Sequence, residues 1–257
     1  MITNNEINFY KMEGTGNDFV VINKKIALTT EQITLICNRH YGIGCDQLII
    51  IANIKNEIVK IKIFNSDGSQ AFSCGNGIRC VGLLMKILHD KNELKVQVVG
   101  GNLTYTKVNK MYNKMRGVIY AELGPYNIIQ TDDGHIVEIG NKHLIVVLDK
   151  ISDADMGYGE YLSKKLDLNV SFVEMYNSRA KVLVYERGAG ITNGCGSAAA
   201  AIHVAKYQTT ETEIFFTNSG ERIIAGNINQ IGVYIIADAK LAFSGIFYLN
   251  NVIDGIS

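Results

Sequence analysis

Several residue types are scarce in this sequence, and each absence argues against a class of protein. The 257 residues include no tryptophan, a single proline and five cysteines, an odd number at irregular spacing. Such spacing argues against a secreted disulfide framework, and the lack of a C-x-x-C pair argues against a zinc ribbon. No apolar run approaches the roughly 20 residues of a membrane span, and no secretory signal is recognisable. We therefore expect a soluble protein of the reducing cytoplasm.

Neither sign of charge is in excess. The 25 Lys and Arg residues balance 25 Asp and Glu residues, so no positive bias indicates a nucleic acid or an anionic membrane as a partner. With 47% hydrophobic and 19% charged residues, wholesale disorder is excluded as well. The length fits one large domain or two of about 120–130 residues, enough to form a core without disulfides or metal.

The pattern of apolar residues predicts a mixed α/β chain with many short strands. Helical periodicity predicts helices at Thr30–Arg39, Ile78–Leu88, Asp153–Leu166 and Ala198–Tyr207. Runs rich in Ile and Val predict strands at Ile7–Met12, Phe19–Asn23, Gln47–Ile51, Val59–Phe64, Leu94–Val99, Gly117–Leu123, Ile136–Ile139, His143–Leu148, Phe172–Met175, Lys181–Tyr185, Glu213–Thr217, Arg222–Ile228 and Ile231–Ala237.

Two short motifs recur at about half the chain length. Gly16-Asn17 returns as Gly140-Asn141, 124 residues later, and Cys74-Gly75-Asn76 returns as Cys195-Gly196-Ser197, 121 residues later. Each Cys-Gly pair follows a predicted strand and turn and precedes a helix. We therefore predict two similar halves, each with a cysteine at a helix N-terminus. Such a terminus carries unpaired N–H groups and partial positive charge, which lower a thiol pKa and attract a carboxylate.

The sequence resembles the diaminopimelate epimerase family. The motifs that carry the resemblance are Met12–Phe19, Arg39–Leu48, Phe64–Ser69, Ser73–Cys80, Gly140–His143, Tyr185–Gly190 and Gly194–Ser197. They follow the family's order and spacing from about residue 9 to residue 249, which is far more specific than any single motif. Members of this family invert one α-carbon of a diamino dicarboxylic acid without pyridoxal phosphate or metal. The resemblance therefore implies an isomerase that acts on a small molecule and needs no cofactor.

The resemblance implies that Cys74 and Cys195 are the catalytic pair. Inversion of a weakly acidic α-carbon needs a base on one face and an acid on the other, and a thiolate and a thiol can exchange these roles. His143 and Glu186 match family positions that flank the thiols, where they could take a proton or orient a thiol. Which cysteine each of them assists is left open by the sequence.

The resemblance also implies which residues bind the substrate. The α-carboxylate is expected on backbone N–H groups at the two helix N-termini, at Gly75, Asn76, Gly196 and Ser197. The distal end of the substrate is itself an amino acid, and the planar Arg187 guanidinium can bind its carboxylate through two hydrogen bonds. Amide side chains, which offer both a donor and an acceptor, match family binding positions at Asn17, Gln47, Asn65, Asn141 and Asn169.

Other residues within the motifs have structural interpretations. We interpret Cys37 and Cys80, on predicted helix faces, as core residues, and Cys45 as a packing residue in a Gly-rich loop. Arg79 is interpreted as a surface charge on a helix, despite its place in the Cys74 motif. Gly14-x-Gly16 follows a strand, as a dinucleotide-binding fingerprint does, but its third glycine is missing, so it indicates only a turn.

Three positions depart from the family's usual pattern. Lys142 stands where proline is usual, so we expect its loop to lose a fixed φ and to be more mobile. Gly194 replaces the alanine that usually precedes the second cysteine, and Ala198 replaces a smaller residue at the start of the following helix. None of these changes removes a reacting atom, so we expect them to affect turnover rate more than substrate identity.

We predict an α/β (mixed α+β) fold of two pseudo-symmetric halves. Each half is expected to be a curved, mostly antiparallel sheet wrapped around a central helix, with the active site between the halves. By resemblance, the last strand returns to the first half, so residues 1–122 plus 243–257 carry Cys74 and residues 123–242 carry Cys195. The implied reaction interconverts LL- and meso-diaminopimelate in lysine and peptidoglycan precursor biosynthesis, and the family implies a homodimer.

Three alternatives remain open at this stage. A proline racemase-like enzyme shares the two-cysteine chemistry, but it has no need of Arg187 and several amides for a second amino-acid end. A thiol redox protein would use Cys74 and Cys195 as a disulfide, which leaves the same residues unexplained. A binding protein on the same fold would not need both cysteines.

Overall fold

The computed structural model describes residues 6–152, 154–207, 210–228 and 232–249. Within these ranges the chain forms four helices, α1 (Thr30–Cys37), α2 (Gly75–His89), α3 (Ala154–Leu166) and α4 (Gly196–Lys206). The strands before α3 are β1 (Glu6–Gly14), β2 (Asn17–Ile22), β3 (Gln47–Lys55), β4 (Ile58–Asn65), β5 (Gln70–Ala71), β6 (Glu93–Val98), β7 (Leu103–Asn113), β8 (Arg116–Gly124), β9 (Asn127–Thr131), β10 (Gly134–Ile139) and β11 (Asn141–Val147). The strands after α3 are β12 (Asn169–Met175), β13 (Arg179–Glu186), β14 (Gly190–Ile191), β15 (Glu211–Phe216), β16 (Arg222–Ile228) and β17 (Gly232–Tyr248). None of these helices is long and apolar enough to cross a membrane.

The order of elements repeats along the chain. β1 and β2 form an antiparallel hairpin, α1 leads to β3 parallel to β2, and β4 returns antiparallel to β3. β10, β11, α3, β12 and β13 follow the same path. Next, α2 connects β4 to the parallel β6, as α4 connects β13 to the parallel β15. The repeat predicted from two short motifs therefore extends over both halves, and Cys74 and Cys195 precede equivalent helices.

The two helices capped by Cys74 and Cys195, α2 and α4, lie in the main core, and α1 and α3 lie outside it. Every residue of α2 from Asn76 to Met85 is buried, which requires neighbours on all sides of the helix. In α4, Ala198–Ala201 are buried, and their small side chains let the surrounding strands approach closely. α1 and α3 pack in separate apolar clusters on the outer faces of the sheet. The predicted fold, with a curved sheet around a central helix in each half, is thus confirmed.

A single long strand joins the two halves. β17 pairs with β16 through Gly232–Ile236, with β8 through residues 233–240, and with β1 through residues 240–248. The described strands accordingly belong to one continuous sheet. The division into residues 1–122 plus 243–257 and 123–242 stays a prediction, and its segments 1–5 and 250–257 lie outside the described residues.

The observed elements differ from the sequence-based prediction in two ways. β5, β7, β9 and β14 were not predicted, because two of them have only two residues and the longer β7 is rich in Lys and Asn. α2 and α4 begin at Gly75 and Gly196, before the predicted Ile78 and Ala198. Glycine has low helix propensity, so the periodic pattern starts later than the helix itself. Two predicted first residues, Asp153 and Ile231, lie outside the described part of the chain.

Candidate active site

A cavity of about 700 Å³ lies between the two repeats. Its volume suits a small organic molecule. The residues predicted from the sequence that line it are Asn17, Gln47, Asn65, Cys74, Gly75, Asn76, Asn141, Glu186, Arg187, Cys195, Gly196 and Ser197. His143 and Asn169 are buried behind this surface. The fold therefore gathers in one cavity residues that are spread over most of the chain.

Cys74 is the N-cap residue of α2. Its Sγ accepts a hydrogen bond from the Gly77 N–H at 3.3 Å, so the thiol lies at the positive end of the helix dipole. Burial nevertheless raises the pKa of Cys74 to about 11, with the charge of Glu186 adding to the rise. The Gly77 N–H and the Arg79 charge oppose it. These surroundings thus favour the protonated thiol at neutral pH.

Cys195 is the N-cap residue of α4, but its surroundings differ from those of Cys74. Its Sγ lies 3.3 Å from Ser197 Oγ and hydrogen-bonds the Glu186 carboxyl group. Burial raises the pKa of the Cys195 thiol well above its ordinary value, and the Glu186 charge adds to this effect. The surroundings of the second thiol therefore also favour its protonated form, with a carboxyl group beside it.

Glu186 ends β13 and lines the same cavity as the two thiols. Burial raises the pKa of its carboxyl group, while hydrogen bonds from Thr192 and Cys195 lower it. The Thr192 hydroxyl donates to Glu186 Oε1 at 2.5 Å and fixes the orientation of the carboxyl group. Thr192 escaped the sequence analysis, because it follows a strand of only two residues that leaves no recognisable pattern.

His143 reaches Cys195 through a serine. The imidazole is fully buried, and its Nε2 lies 2.9 Å from Ser197 Oγ, which in turn contacts the Cys195 sulfur. Burial lowers the pKa of His143 to about 3, so the ring is neutral at physiological pH. His143 is thus linked to Cys195 through Ser197, whereas the Glu186 charge acts on both thiols.

Arg187 lies at the rim of the cavity, where hydrogen bonds hold both its backbone N–H and its guanidinium. Its backbone N–H donates to Asn169 Oδ1 at 2.8 Å, so Asn169 positions the arginine from behind the cavity surface. Its guanidinium donates to the Asp167 carboxylate at 2.9 Å. Both partners of this ion pair are more than half exposed. The guanidinium can therefore exchange Asp167 for another carboxylate at little cost.

The amide side chains around the cavity form two hydrogen-bonded groups. Asn76 donates to Asn17 Oδ1 at 2.7 Å, and Asn17 donates to Asp46 at 3.2 Å. Gln47 donates to Asn65 Oδ1 at 2.9 Å, in line with the pairing of the two residues across β3 and β4. These bonds orient the amides without substrate. Asp46, which anchors the first group, was missed although it adjoins Gln47 in a motif.

Comparison with known proteins places the chain in a family. The family model described as diaminopimelate epimerase matches residues 9–127. A diaminopimelate epimerase of Buchnera aphidicola subsp. Acyrthosiphon pisum (strain 5A) is 32% identical over 95% of this chain and 97% of its own. The chain belongs to the diaminopimelate epimerase family.

The fold is shared with more distant proteins. A Bacillus anthracis phenazine biosynthesis protein of the PhzF family superposes with a TM-score of 0.73 over 95% of this chain and 99% of its own, at 12% identity. A hydroxyproline epimerase from Agrobacterium vitis superposes with a TM-score of 0.71 over 98% of this chain and 95% of its own, at 9% identity. These similarities concern the fold alone.

The structure shows the surroundings of the three positions that depart from the usual diaminopimelate epimerase pattern. Lys142 lies within strand β11, opposite Glu138, and not in a loop as expected from the sequence. The strand pairing supplies the restraint that proline would give. A Cβ on Gly194 would lie 2.6 Å from the Thr15 carbonyl oxygen, so alanine does not fit here without a shift of backbone. Ala198 lies buried within the first turn of α4, where its methyl group is accommodated.

The other cysteines lie away from the cavity, and the interpretation of Arg79 needs correction. Cys37, Cys45 and Cys80 are buried, in agreement with packing roles, and the Cys37 and Cys45 sulfurs are 3.5 Å apart. Arg79 is not a surface charge but is fully buried within α2. The sequence-based interpretation failed because strands from distant parts of the chain cover the helix on all sides.

An ion-pair cluster around Asp18 lies beside the cavity. Asp18 accepts hydrogen bonds from Lys11 at 2.6 Å and from both terminal nitrogens of Arg39 at 2.8 Å. Burial alone would raise the pKa of this carboxyl group, but the hydrogen bonds from Arg39 and Lys11 hold it well below the ordinary 3.8. The backbone N–H of Asp46 also donates to Asp18, so the cluster supports the wall of the cavity.

We expect Asp18→Asn to lower the free energy of unfolding at neutral pH. Because the folded pKa is depressed, the ionised Asp18 stabilises the fold above the unfolded pKa near 3.8, and this contribution disappears as pH falls through the folded value. Urea unfolding from neutral pH down to about pH 2.5 should therefore show the gap between wild type and variant closing below about pH 4. Asp149→Asn, at an exposed carboxylate, is the control and should match wild type throughout. A gap that stays constant with pH would contradict this account.

Proposed function

We propose that this chain interconverts LL-2,6-diaminopimelate and meso-diaminopimelate by proton transfer between Cys74 and Cys195, without a cofactor. The observation that carries the proposal is the presence of both cysteines in one cavity, each as the N-cap of an equivalent helix. Membership in the diaminopimelate epimerase family supports the substrate. The reaction class is isomerisation at a carbon beside a carboxylate.

The proposed reaction moves one proton off the α-carbon and another onto its opposite face. One cysteine, as thiolate, takes the α-proton, and the electron pair of the broken C–H bond delocalises into the adjacent carboxylate. The other cysteine, as thiol, gives its proton to the same carbon from the other side. The α-carbon is then inverted, and the two sulfurs have exchanged their protonation states, so charge and atoms balance in either direction.

The helix N-termini supply the electrostatic part of this mechanism. In the first turn of an α-helix the N–H groups have no intrahelical acceptor. Those of Gly75 and Asn76 in α2, and of Gly196 and Ser197 in α4, adjoin the two sulfurs in the cavity wall. In our proposal they bind the α-carboxylate and stabilise the negative charge that grows on it, as an oxyanion hole does.

Substrate binding has to create the thiolate. Burial raises the pKa of both thiols above the ordinary thiol value, which favours the protonated form of each sulfur. The substrate's α-ammonium group adds a positive charge next to them, which favours the ionised form. The Glu186 carboxyl group, hydrogen-bonded to Cys195, is placed to accept the departing proton. His143 keeps Ser197 oriented as a neutral hydrogen-bond partner.

Recognition of the distal amino-acid end is assigned to Arg187 and the amide groups. Arg187 would leave Asp167 and bind the distal carboxylate through two hydrogen bonds. Asn65, Gln47 and Asn141 line the same cavity and offer oxygens for the distal ammonium group. This need for two amino-acid ends distinguishes the proposed substrate from proline-type substrates.

We also propose that the protein works in the cytoplasm as a homodimer. Free thiols at all five cysteines fit a reducing compartment. Phe243, Ile246 and Tyr248 near the end of β17 are about half exposed and offer apolar area for a second copy. Sedimentation velocity on the reduced protein should give the mass of two chains, and a Phe243→Ser variant should shift it toward one.

Proton exchange with solvent tests the proposed reaction. Reduced protein is incubated with LL-diaminopimelate in D₂O and followed by proton NMR. We expect the α-proton signal to disappear as the meso isomer forms, because the incoming proton comes from a solvent-exchanged thiol. Neither exchange nor meso product in folded, reduced protein would overturn the proposal.

The same assay separates the alternatives. Exchange with L-proline or trans-4-hydroxy-L-proline, and none with diaminopimelate, would identify a proline racemase-like enzyme. Protein that is fully active after oxidation of Cys74 and Cys195 would also contradict the two-thiol mechanism. Activity that is lost on oxidation and returns with a reductant agrees with it.

Asp167→Asn should lower the KM for diaminopimelate by up to about fivefold and leave kcat unchanged. The exposed ion pair with Arg187 is worth up to ~1 kcal/mol, and the substrate carboxylate has to displace it. The gain should shrink at high salt, because salt screens exposed charges. Glu160→Gln, which removes a similarly exposed pair with Lys164 on α3, is the control and should not change KM. An unchanged KM in Asp167→Asn would show that the pair does not compete with substrate.

A further inference from the structure

Arg79 is a buried cation without a carboxylate partner. Its side chain is fully buried, and it donates hydrogen bonds to three neutral oxygens: Thr15 Oγ1 at 2.6 Å, Asn76 Oδ1 at 2.7 Å and the Asp238 carbonyl at 3.2 Å. The Asp238 carboxylate is paired with Arg116 instead. Within the described residues no salt bridge to Arg79 is formed. A buried charge left unpaired is costly, so its presence calls for a function.

The hydrogen bonds of Arg79 connect the turns that carry the two cysteines. Asn76, which Arg79 holds by its amide oxygen, lies two residues after Cys74 and donates to the Gly194 carbonyl at 3.2 Å. Gly194 directly precedes Cys195. Thr15 packs against Gly194 so closely that a Cβ there would meet the Thr15 carbonyl at 2.6 Å. The guanidinium therefore fixes, through one amide and one hydroxyl, how the Cys74 turn sits against the Cys195 turn.

The charge of Arg79 also complements an asymmetry between the two thiols. Glu186 and the Ser197–His143 pair both contact the Cys195 side of the cavity. On the Cys74 side, the nearby charges that act on the sulfur are those of Glu186 and Arg79, of opposite sign. Arg79 lies in α2, the helix that Cys74 caps, so its positive charge is fixed relative to that sulfur.

We propose that Arg79 is a positioning residue for the proton transfer: it holds the two cysteine turns together through Asn76 and Thr15, and it provides the buried countercharge for the Cys74 thiolate. This inference rests on the proposed function. The Glu13 and Asp238 carboxylates also act on the Arg79 charge, but among the described residues its hydrogen bonds go to neutral oxygens alone.

Two variants separate the effect of the Arg79 charge from the effect of its hydrogen bonds. Arg79→Met removes both, whereas Arg79→Lys keeps a positive charge but cannot reach Thr15, Asn76 and Asp238 together. Arg116→Met is the matched control, because it removes an exposed arginine that binds the same Asp238 residue. Circular dichroism establishes that each variant is folded.

The first measurement is independent of the substrate. Iodoacetamide alkylates thiolates, and mass spectrometry gives the rates at Cys74 and Cys195 separately over a range of pH. At about pH 8, we expect Arg79→Met to slow alkylation of Cys74 by about tenfold or more relative to Cys195, and Arg79→Lys to keep most of the wild-type rate. A purely structural role would not alter the ratio between the two thiols or its pH dependence.

The second measurement is the steady-state rate with diaminopimelate. We expect Arg79→Met to reduce kcat by about 10²-fold or more with a much smaller change in KM, and Arg79→Lys to lose about tenfold in kcat despite normal labelling. Folded Arg79→Met with wild-type labelling and wild-type kcat would overturn the inference. If wild type shows the labelling pattern without epimerase activity, the proposed function fails while the charge effect of Arg79 stands.

A third variant tests the positioning role of Arg79 if Arg79→Met does not fold. Thr15→Val removes one acceptor of Arg79 but keeps the shape of the side chain and the arginine charge. We expect kcat to fall about five- to tenfold with normal labelling of Cys74, a loss of ~1 kcal/mol in transition-state stabilisation. An unchanged kcat would contradict the positioning part of the inference.

Discussion

Cys74→Ala and Cys195→Ala are each expected to reduce epimerisation by at least about 10³-fold. A thiol on one face of the α-carbon can remove or return a proton only on that face, so inversion needs both. General acid–base groups typically contribute about 10²–10⁴-fold each, and no neighbouring group replaces a lost sulfur at the same position. The measurement is the rate of meso-diaminopimelate formation from the LL isomer.

The controls for this prediction use the structure of the cavity. Cys37→Ala removes a buried cysteine outside the cavity wall and should leave turnover within about twofold of wild type, with at most a modest loss of stability. Circular dichroism and thermal unfolding of Cys74→Ala and Cys195→Ala should show a folded protein. Full epimerisation by either folded variant would refute the two-base mechanism.

Deuterium exchange in the Cys74→Ala and Cys195→Ala variants tests each face of the α-carbon separately. If one thiol is left, it can still remove and return a proton on its own face, so exchange can persist without inversion. We expect each variant to exchange deuterium into one isomer only, and the two variants to differ in which isomer they label. Equal exchange into both isomers by one variant would mean that a single sulfur reaches both faces of the carbon.

Arg187→Met is expected to lower kcat/KM for diaminopimelate by about 10²–10³-fold. The variant removes the charge-assisted hydrogen bonds that hold the distal carboxylate, and loss of such a pair costs about 2–4 kcal/mol. Methionine keeps much of the volume of the arginine side chain at the rim of the cavity. Part of the loss should fall on kcat, because distal contacts also align the α-carbon between the two thiols.

Arg187→Lys tests the geometry of the same contact. Lysine keeps the charge but offers no planar pair of donors, so we expect an intermediate loss of kcat/KM. Arg222→Met, at an exposed arginine paired with Glu213 on the sheet surface, serves as control and should not affect kinetics. If Arg187→Met turns over diaminopimelate as wild type does, distal recognition lies elsewhere in the cavity, and the argument against proline-type substrates loses its main support.

These predictions depend on the different surroundings of Cys74 and Cys195, which occupy equivalent positions in the repeat. The backbone path around them is equivalent, yet Cys195 has Glu186 and Ser197, whereas Cys74 has the Gly77 N–H and the nearby Arg79 charge. Two thiols in identical surroundings would ionise equally readily. The differences in their surroundings allow one sulfur to be ionised while the other stays protonated, which the reaction requires.

The sequence by itself determined the features of this protein that depend on neighbouring residues. The Cys-Gly pairs at 74–75 and 195–196 mark helix N-termini, because capping geometry is set within a few residues of chain. The recurrence of these motifs predicted the repeat, and the motif residues predicted most of the cavity wall. Family membership then followed from the order and spacing of the motifs.

Only the tertiary structure decided the features that depend on residues far apart in the chain. Arg79 is buried because strands from both ends of the sequence enclose α2, and no local pattern shows which strands pack on a helix. His143 hydrogen-bonds Ser197, and Arg187 is held by Asn169 and Asp167, because the packing of the chain sets residues 18 to 54 positions apart side by side. The sequence specifies which chemical groups are available, while the packing of distant strands sets the distances between them, and it is those distances that determine their roles.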